Sequence, residues 1–261
     1  MKIRLLILIC VLAALNTKSF SENPKKISIL FELSGNQVNS TLNEKWNIRQ
    51  DVGSYYSYYN SSGGSVMPDM FITHLAVKPE ISLLDNKLAI STGLIFSNVL
   101  SDLNIVDNGL NSTGFFYLRY NSTGSTTEYA KVHSITESSN YLGIPFDLKF
   151  IPFTAGNFDF YLKVGYQLGF KMSSETKIDF VSESMDQYQS AILQSIGLTT
   201  NNLYSAWTNA IGVTYGKRDK TRYNFEILLP SFINTQNNST ITIPNVYTGF
   251  RLSIQVPIKS R

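Results

Sequence analysis

The chain has 261 residues, of which 43% are hydrophobic, 13% aromatic and only 16% charged, with a formal net charge of +3 and one cysteine. The surplus charge sits at the start: without 1–21, which hold Lys2, Arg4 and Lys18 and no acid, 19 basic residues balance 19 acidic ones. A balanced chain lacks the basic field that nucleic-acid binding needs, and with Cys10 gone there is no thiol for a disulfide or a thiolate metal site.

Residues 1–21 read as a secretory signal. Lys2 and Arg4 precede the apolar run LLILICVLAAL (5–15), and Ser19-Phe20-Ser21 supplies small residues for cleavage after Ser21. Cys10 does not read as a lipid-attachment site, because Ile9 stands before it where a small residue is needed. The remainder, 22–261, reads as one domain. It has no apolar run near the ~18 residues of a membrane helix, which leaves open membrane strands of ~9–11 alternating residues.

Eight such segments follow: ISILFEL (27–33), FITHLAVKPEISL (71–83), LAISTGLIF (88–96), YLGIPFDLKF (141–150), FDFYLKVGYQLGF (158–170), LYSAWTNAIGVTYG (203–216), RYNFEIL (222–228) and VYTGFRLSIQVPI (246–258). In the fifth, Phe158, Phe160, Leu162, Val164, Tyr166, Leu168 and Phe170 form one face and Asp159, Tyr161, Lys163, Gly165, Gln167 and Gly169 the other. The connections alternate. Short ones lie near Asp85-Asn86, at 152–157 and at 217–221, and long ones span 34–70, 97–140, 172–202 and 229–245. Short turns on one side and long loops on the other are the pattern of an outer-membrane barrel. One long loop holds a helix signal, SMDQYQSAILQSIG (184–197), with Ser184 and Gln187 as a capping box and Gly197 as a stop.

The polar face decides which side is inside. Gly93, Gly143, Gly165, Gly169, Gly212 and Gly249 all fall on it, where a solvated strand would carry Thr, Lys or Glu. It also carries both charge signs, in Glu32, Lys78, Glu80, Asp147, Lys149, Lys163, Glu226 and Arg251. Buried charges persist when paired, so these eight are expected to fill a lumen as an ion-pair network, with the apolar face against lipid. The fold class expected is all-β: an eight-stranded antiparallel up-and-down transmembrane β-barrel with long extracellular loops, one bearing a short helix. A soluble barrel or sandwich with the opposite facing is the competing architecture.

LAISTGLIF (88–96), then YLGIPFDLKF (141–150), then FYLKVGYQLGF (160–170) resembles the outer-membrane β-barrel domain common in Bacteroidetes, of the porin-family or PorT-like kind. The resemblance implies an eight-stranded barrel in an outer membrane. It implies no defined reaction and brings no catalytic motif.

Other features are weighed against plainer readings. His74, paired with Glu80 or Asp147, would be the base of an enzyme, but neither it nor His133 sits in a catalytic motif, so a lumenal or rim histidine is expected. Tyr55, Tyr56, Tyr58 and Tyr59 in SYYSYYNSSGG (54–64) are a candidate contact patch for a glycan or protein, against interfacial tyrosines on extended strands. Asn39, Asn60, Asn111, Asn121 and Asn238 open Asn-x-Ser/Thr triplets, read here as polar loop sequence. Eight strands enclose only enough space for side chains, so no wide channel is expected. The expected role is non-enzymatic, without cofactor or metal: binding or adhesion through surface loops, or membership of an envelope assembly. Its partners would be outer-membrane lipid and an envelope protein or extracellular ligand, with no nucleic acid. A narrow-pore transporter and, further off, a membrane-embedded hydrolase are the alternatives.

Overall fold

A run of side chains alternating apolar and polar can satisfy its backbone and sort its two faces only as paired strands. The computed structural model describes residues 27–49, 65–106, 114–121 and 128–258, so the expected signal segment and the four-tyrosine patch lie outside the described residues. The strands are β1 (Ile27–Leu42), β2 (Ile48–Arg49), β3 (Ser65–Leu83), β4 (Leu88–Thr92), β5 (Leu94–Val106), β6 (Phe116–Asn121), β7 (Glu128–Ala155), β8 (Phe158–Phe180), β9 (Leu203–Tyr215), β10 (Arg222–Ile233) and β11 (Thr242–Ile258). β4 and β5 are one barrel strand interrupted at Gly93, where an added Cβ would run into the Val77 carbonyl oxygen. All pairings are antiparallel. They close a ring of eight in the order β1, β3, β4/β5, β7, β8, β9, β10, β11 and back to β1. At the seam Ile27 pairs with Ile258.

The facing follows the lumenal expectation. Phe160, Leu162 and Phe250 are 45%, 50% and 60% exposed, whereas Lys163 and Arg251 are 5% and 3% exposed. An apolar belt including Phe31, Leu75, Phe146 and Leu252 surrounds the ring.

The strands run well past the segments expected from alternation. β7 has 28 residues and β8 has 23, so much of the sequence assigned to long loops at 34–70, 97–140 and 172–202 is strand. The connection expected at 229–245 shrinks to 234–241, between β10 and β11. β6 pairs with the start of β7, and β2 pairs with β6, making a small sheet at the long-loop end that the alternation did not show. Along β3 the facing inverts. Inward residues pass from Glu80, Lys78 and His74 to Ile72, Met70 and Val66, while outward ones pass from Val77, Leu75 and Phe71 to Asp69. β7 does the same, from inward Lys149 and Asp147 to Ile135 and Val132, with a register shift between Val132 and Ser134.

The upper region therefore has an ordinary apolar core of Trp46, Leu103, Phe116, Leu118, Val132, Ile135, Phe180, Ile192 and Ile241. The helix α1 (Gln189–Ile196) contributes Ile192 and ends at Gly197, whose φ of 65° and N–H to Leu193 O close it as the sequence indicated. The capping box is a correction: Gln187 Nε2 donates to the Ser184 carbonyl, Ser184 Oγ pairs with Ser182 Oγ, and the turn Glu183–Tyr188 is 3-10 rather than α.

Candidate functional site

Three acids and three bases from six strands meet in the lumen. Lys78 Nζ donates to Glu32 Oε2 and Asp147 Oδ2, both at 2.6 Å. Lys163 Nζ donates to Glu226 Oε1 at 2.6 Å and stands 3.5 Å from Glu32 Oε2. The Arg251 fork bridges Glu32 and Glu226 at 3.1 Å each, and Glu226 is also its cross-strand partner. All six are buried, and the balance of signs is what allows charges to stay ionised away from water.

Small residues open the space. A Cβ at Gly165 would meet the Asp147 carboxylate, and one at Gly212 would meet the Tyr161 ring. Lys149 and Lys163 face each other across β7 and β8, a like-charge pair that destabilises unless the groups part. They part: Lys163 turns to the central cluster, and Lys149 lies 4.2 Å over the Tyr161 ring and 3.9 Å from Glu80 Oε2. Gln255 Nε2 donates to Glu80 Oε1 at 2.8 Å, and Tyr161 Oη donates to Glu226 Oε1 at 2.9 Å.

The structure thus brings Glu32, Lys78, Asp147, Lys163, Glu226 and Arg251 into one cluster and sets Glu80 and Lys149 below it. Sequence reasoning missed the next layer. At the short-turn mouth Asp159 accepts from Arg222, from Arg218 at 3.0 Å and from Thr154 Oγ1 at 2.7 Å. The signal was available, since Asp159 shares a face with Lys163, and Arg222 shares one with Glu226.

Above the charges, buried Tyr141, Tyr204 and Tyr247 pack with Val38, Met70, Ile72, Val99, Ala206 and Leu228 and close the lumen. His74 belongs to this level. Its Nδ1 lies 2.7 Å from Ser97 Oγ and its ring 6.4 Å from that of Tyr204. It does not pair with Glu80 or Asp147, as an enzyme reading would need, and both His74 and Ser97 are buried. His133 is far from it on β7, exposed, with Nδ1 2.8 Å from Gly114 O.

The 234–241 connection folds into the upper end. Buried Glu137 accepts the Thr240 N–H at 2.8 Å and also the Thr240 hydroxyl, while Trp46 Nε1 and Asn43 Nδ2 both donate to Thr240 O at 2.9 Å. Asn238 is buried with its Nδ2 donating to Leu203 O, so this triplet is structural. Chemically the interior is a set of paired charges capped by phenols and a loop. Among the described residues no group of three His, Cys, Asp or Glu side chains is arranged to hold a metal.

No family model and no curated protein matches the chain. Among solved structures it is similar to the crystal structure of outer membrane protein OprG from Pseudomonas aeruginosa, with 12% identity over 90% of this chain and 97% of that one and a TM-score of 0.38. It is also similar to the solution structure of outer membrane protein W from Escherichia coli, with 10% identity, 91% and 100% coverage and a TM-score of 0.29. The transport unit of the Escherichia coli autotransporter AIDA-I gives 9% identity, 93% and 94% coverage and 0.23.

Proposed function

We propose that the chain is a bacterial outer-membrane β-barrel with a side-chain-filled lumen, acting through its long-loop end in binding or adhesion, or as a member of an envelope assembly. The observation that carries this is the inverted facing: charges paired inside the ring and a continuous apolar belt outside it. A closed ring leaves no unpaired strand edge, and barrels of this kind are one of the two structures that satisfy every backbone group in hydrocarbon. The role is non-enzymatic in this reading, which the mutual pairing of the six central acids and bases supports. The resemblance of LAISTGLIF, YLGIPFDLKF and FYLKVGYQLGF to PorT-like barrels supports a Bacteroidetes-type envelope as its setting.

The test is fractionation of cell envelopes followed by gel electrophoresis with and without boiling. The chain should stay with the outer membrane and shift in mobility on heating. Recovery in the soluble fraction would reject the reading, and large stable conductance in planar bilayers would reject the filled lumen.

A further inference from the structure

The long-loop region carries more described acids than bases: Glu44, Asp69, Asp102, Glu128, Glu137, Glu175, Asp179, Glu183 and Asp186 against Lys45, Arg49, Arg119, Lys131, Lys171 and Lys177. Three of those six cations share one face of the small sheet made by β2, β6 and the start of β7. Its other face, Phe116, Leu118, Ala130 and Val132, is buried in the upper core.

Strand alternation puts Arg49, Arg119 and Lys131 on the outer face with Tyr117 and Tyr129. Arg49 pairs with Tyr117, Tyr117 with Lys131, and Arg119 with Tyr129, so cations and rings alternate in both directions. Phe115 adjoins them with its ring 5.4 Å from that of Tyr117 and edge-on to it, and Tyr117 stands edge-on to Tyr129 at 6.4 Å. The Arg49 guanidinium lies 5.4 Å over Tyr129 and the Lys131 ammonium 4.7 Å over Phe115. Among the described residues of β2, β6 and the start of β7, no acid is on this face. Glu128 sits at the hairpin edge, opposite Asn121, and Asp179 on β8 pairs with Ser134 beside it.

We propose that this face binds an acidic polysaccharide through its carboxylate or sulfate groups. Cations held on ring faces lose less conformational freedom on binding than free side chains do, and guanidinium is suited to planar oxyanions. Single-stranded nucleic acid is the weaker fit, because base stacking needs open ring faces and two of the rings here are already covered by cations. The inference deepens the proposed function, since it rests on this end facing out of the cell.

The test uses the full chain in detergent micelles. It should be retained by immobilised alginate and not by neutral dextran, and released as salt rises. R49E/K131E, both exposed positions, should weaken retention by about tenfold or more while the heat-dependent mobility shift is unchanged. Tyr117→Leu should weaken it less. Equal retention of parent and R49E/K131E, equal retention on dextran, or displacement by oligo(dT) in preference to soluble alginate would overturn it. Failure to bind alginate by a chain that still fractionates with the outer membrane defeats this inference alone. Recovery in the soluble fraction defeats the proposed function beneath it.

Discussion

The lower and upper halves of the barrel are built on opposite rules. Below the tyrosines, ten charged side chains fill the interior and the exterior is hydrocarbon. Above them, Trp46, Leu103, Phe116 and Ile135 fill the interior, and the outward positions include Asp69, Thr136, Ser138 and Asn140. β3 and β7 run through both halves, so along them the change is made by composition, to which β6, α1 and the 234–241 connection add apolar residues in the upper half. A sheet face is apolar when it meets lipid or a dry core, and the surroundings decide which face that is. Where the exterior takes the greasy residues, the interior keeps what remains, and long polar side chains must pair. The inversion on β3 falls between Phe71 and Asp69, and that on β7 between Leu142 and Asn140, which marks the upper limit of the bilayer-facing zone.

Breaking the ionic half should cost most. Arg251→Met leaves Glu32 and Glu226 short of a cation and should lose about 3–5 kcal/mol in urea unfolding of the refolded barrel. R251M/E226Q restores the balance of signs and should be less destabilised than the single change, and a larger loss would show that the network is not governed by charge balance. In the dry half Leu118→Ala should cost about 2–4 kcal/mol, but locally. Protease cleavage near 43–49 should quicken while the heat-dependent mobility shift persists, and loss of the whole barrel would mean the halves are one cooperative unit. Glu137→Gln should weaken the hold on Thr240 by about 1–3 kcal/mol and speed proteolysis at 234–241, leaving conductance unchanged because the tyrosines still close the lumen. Lys149→Met is the mildest. Its bridge to Glu80 is 3.9 Å long, it faces Lys163, and Gln255 still donates to Glu80 without it, so the loss in urea unfolding should be smaller than that of Arg251→Met.

The same contrast explains what could be read in advance. All eight lumenal charges stand on period-two segments where bulky apolar neighbours set the phase, as Leu162 and Val164 do for Lys163. That phase gave the facing and the strand number. Above the bilayer the outward partners of β7 are Asn140, Ser138 and Thr136, whose polarity resembles that of the inward Ser139 and Glu137, so alternation fades though the strand continues. The register shift between Val132 and Ser134 then moves the inward residues from odd to even positions, and β6 lies beyond it. The capping box failed because Ser184 lies within a 3-10 turn rather than before an α-helix. The mouth pair Asp159 and Arg222 was within reach, since both are on the charged face, but they stand at segment ends beside turns.

The seam has a consequence for assembly. Ile27 and Ile258 share a rung, so β1 finds one of its two neighbours only after β11, more than 200 residues further on, exists. Hairpins can form early, but the cylinder cannot shut before β11 is made, and its edges need shielding until that strand docks. The same adjacency makes the order of strands negotiable: a covalent link across that rung, with a fresh opening cut in an exposed connection, should give a rearranged gene product that reaches the same cylinder.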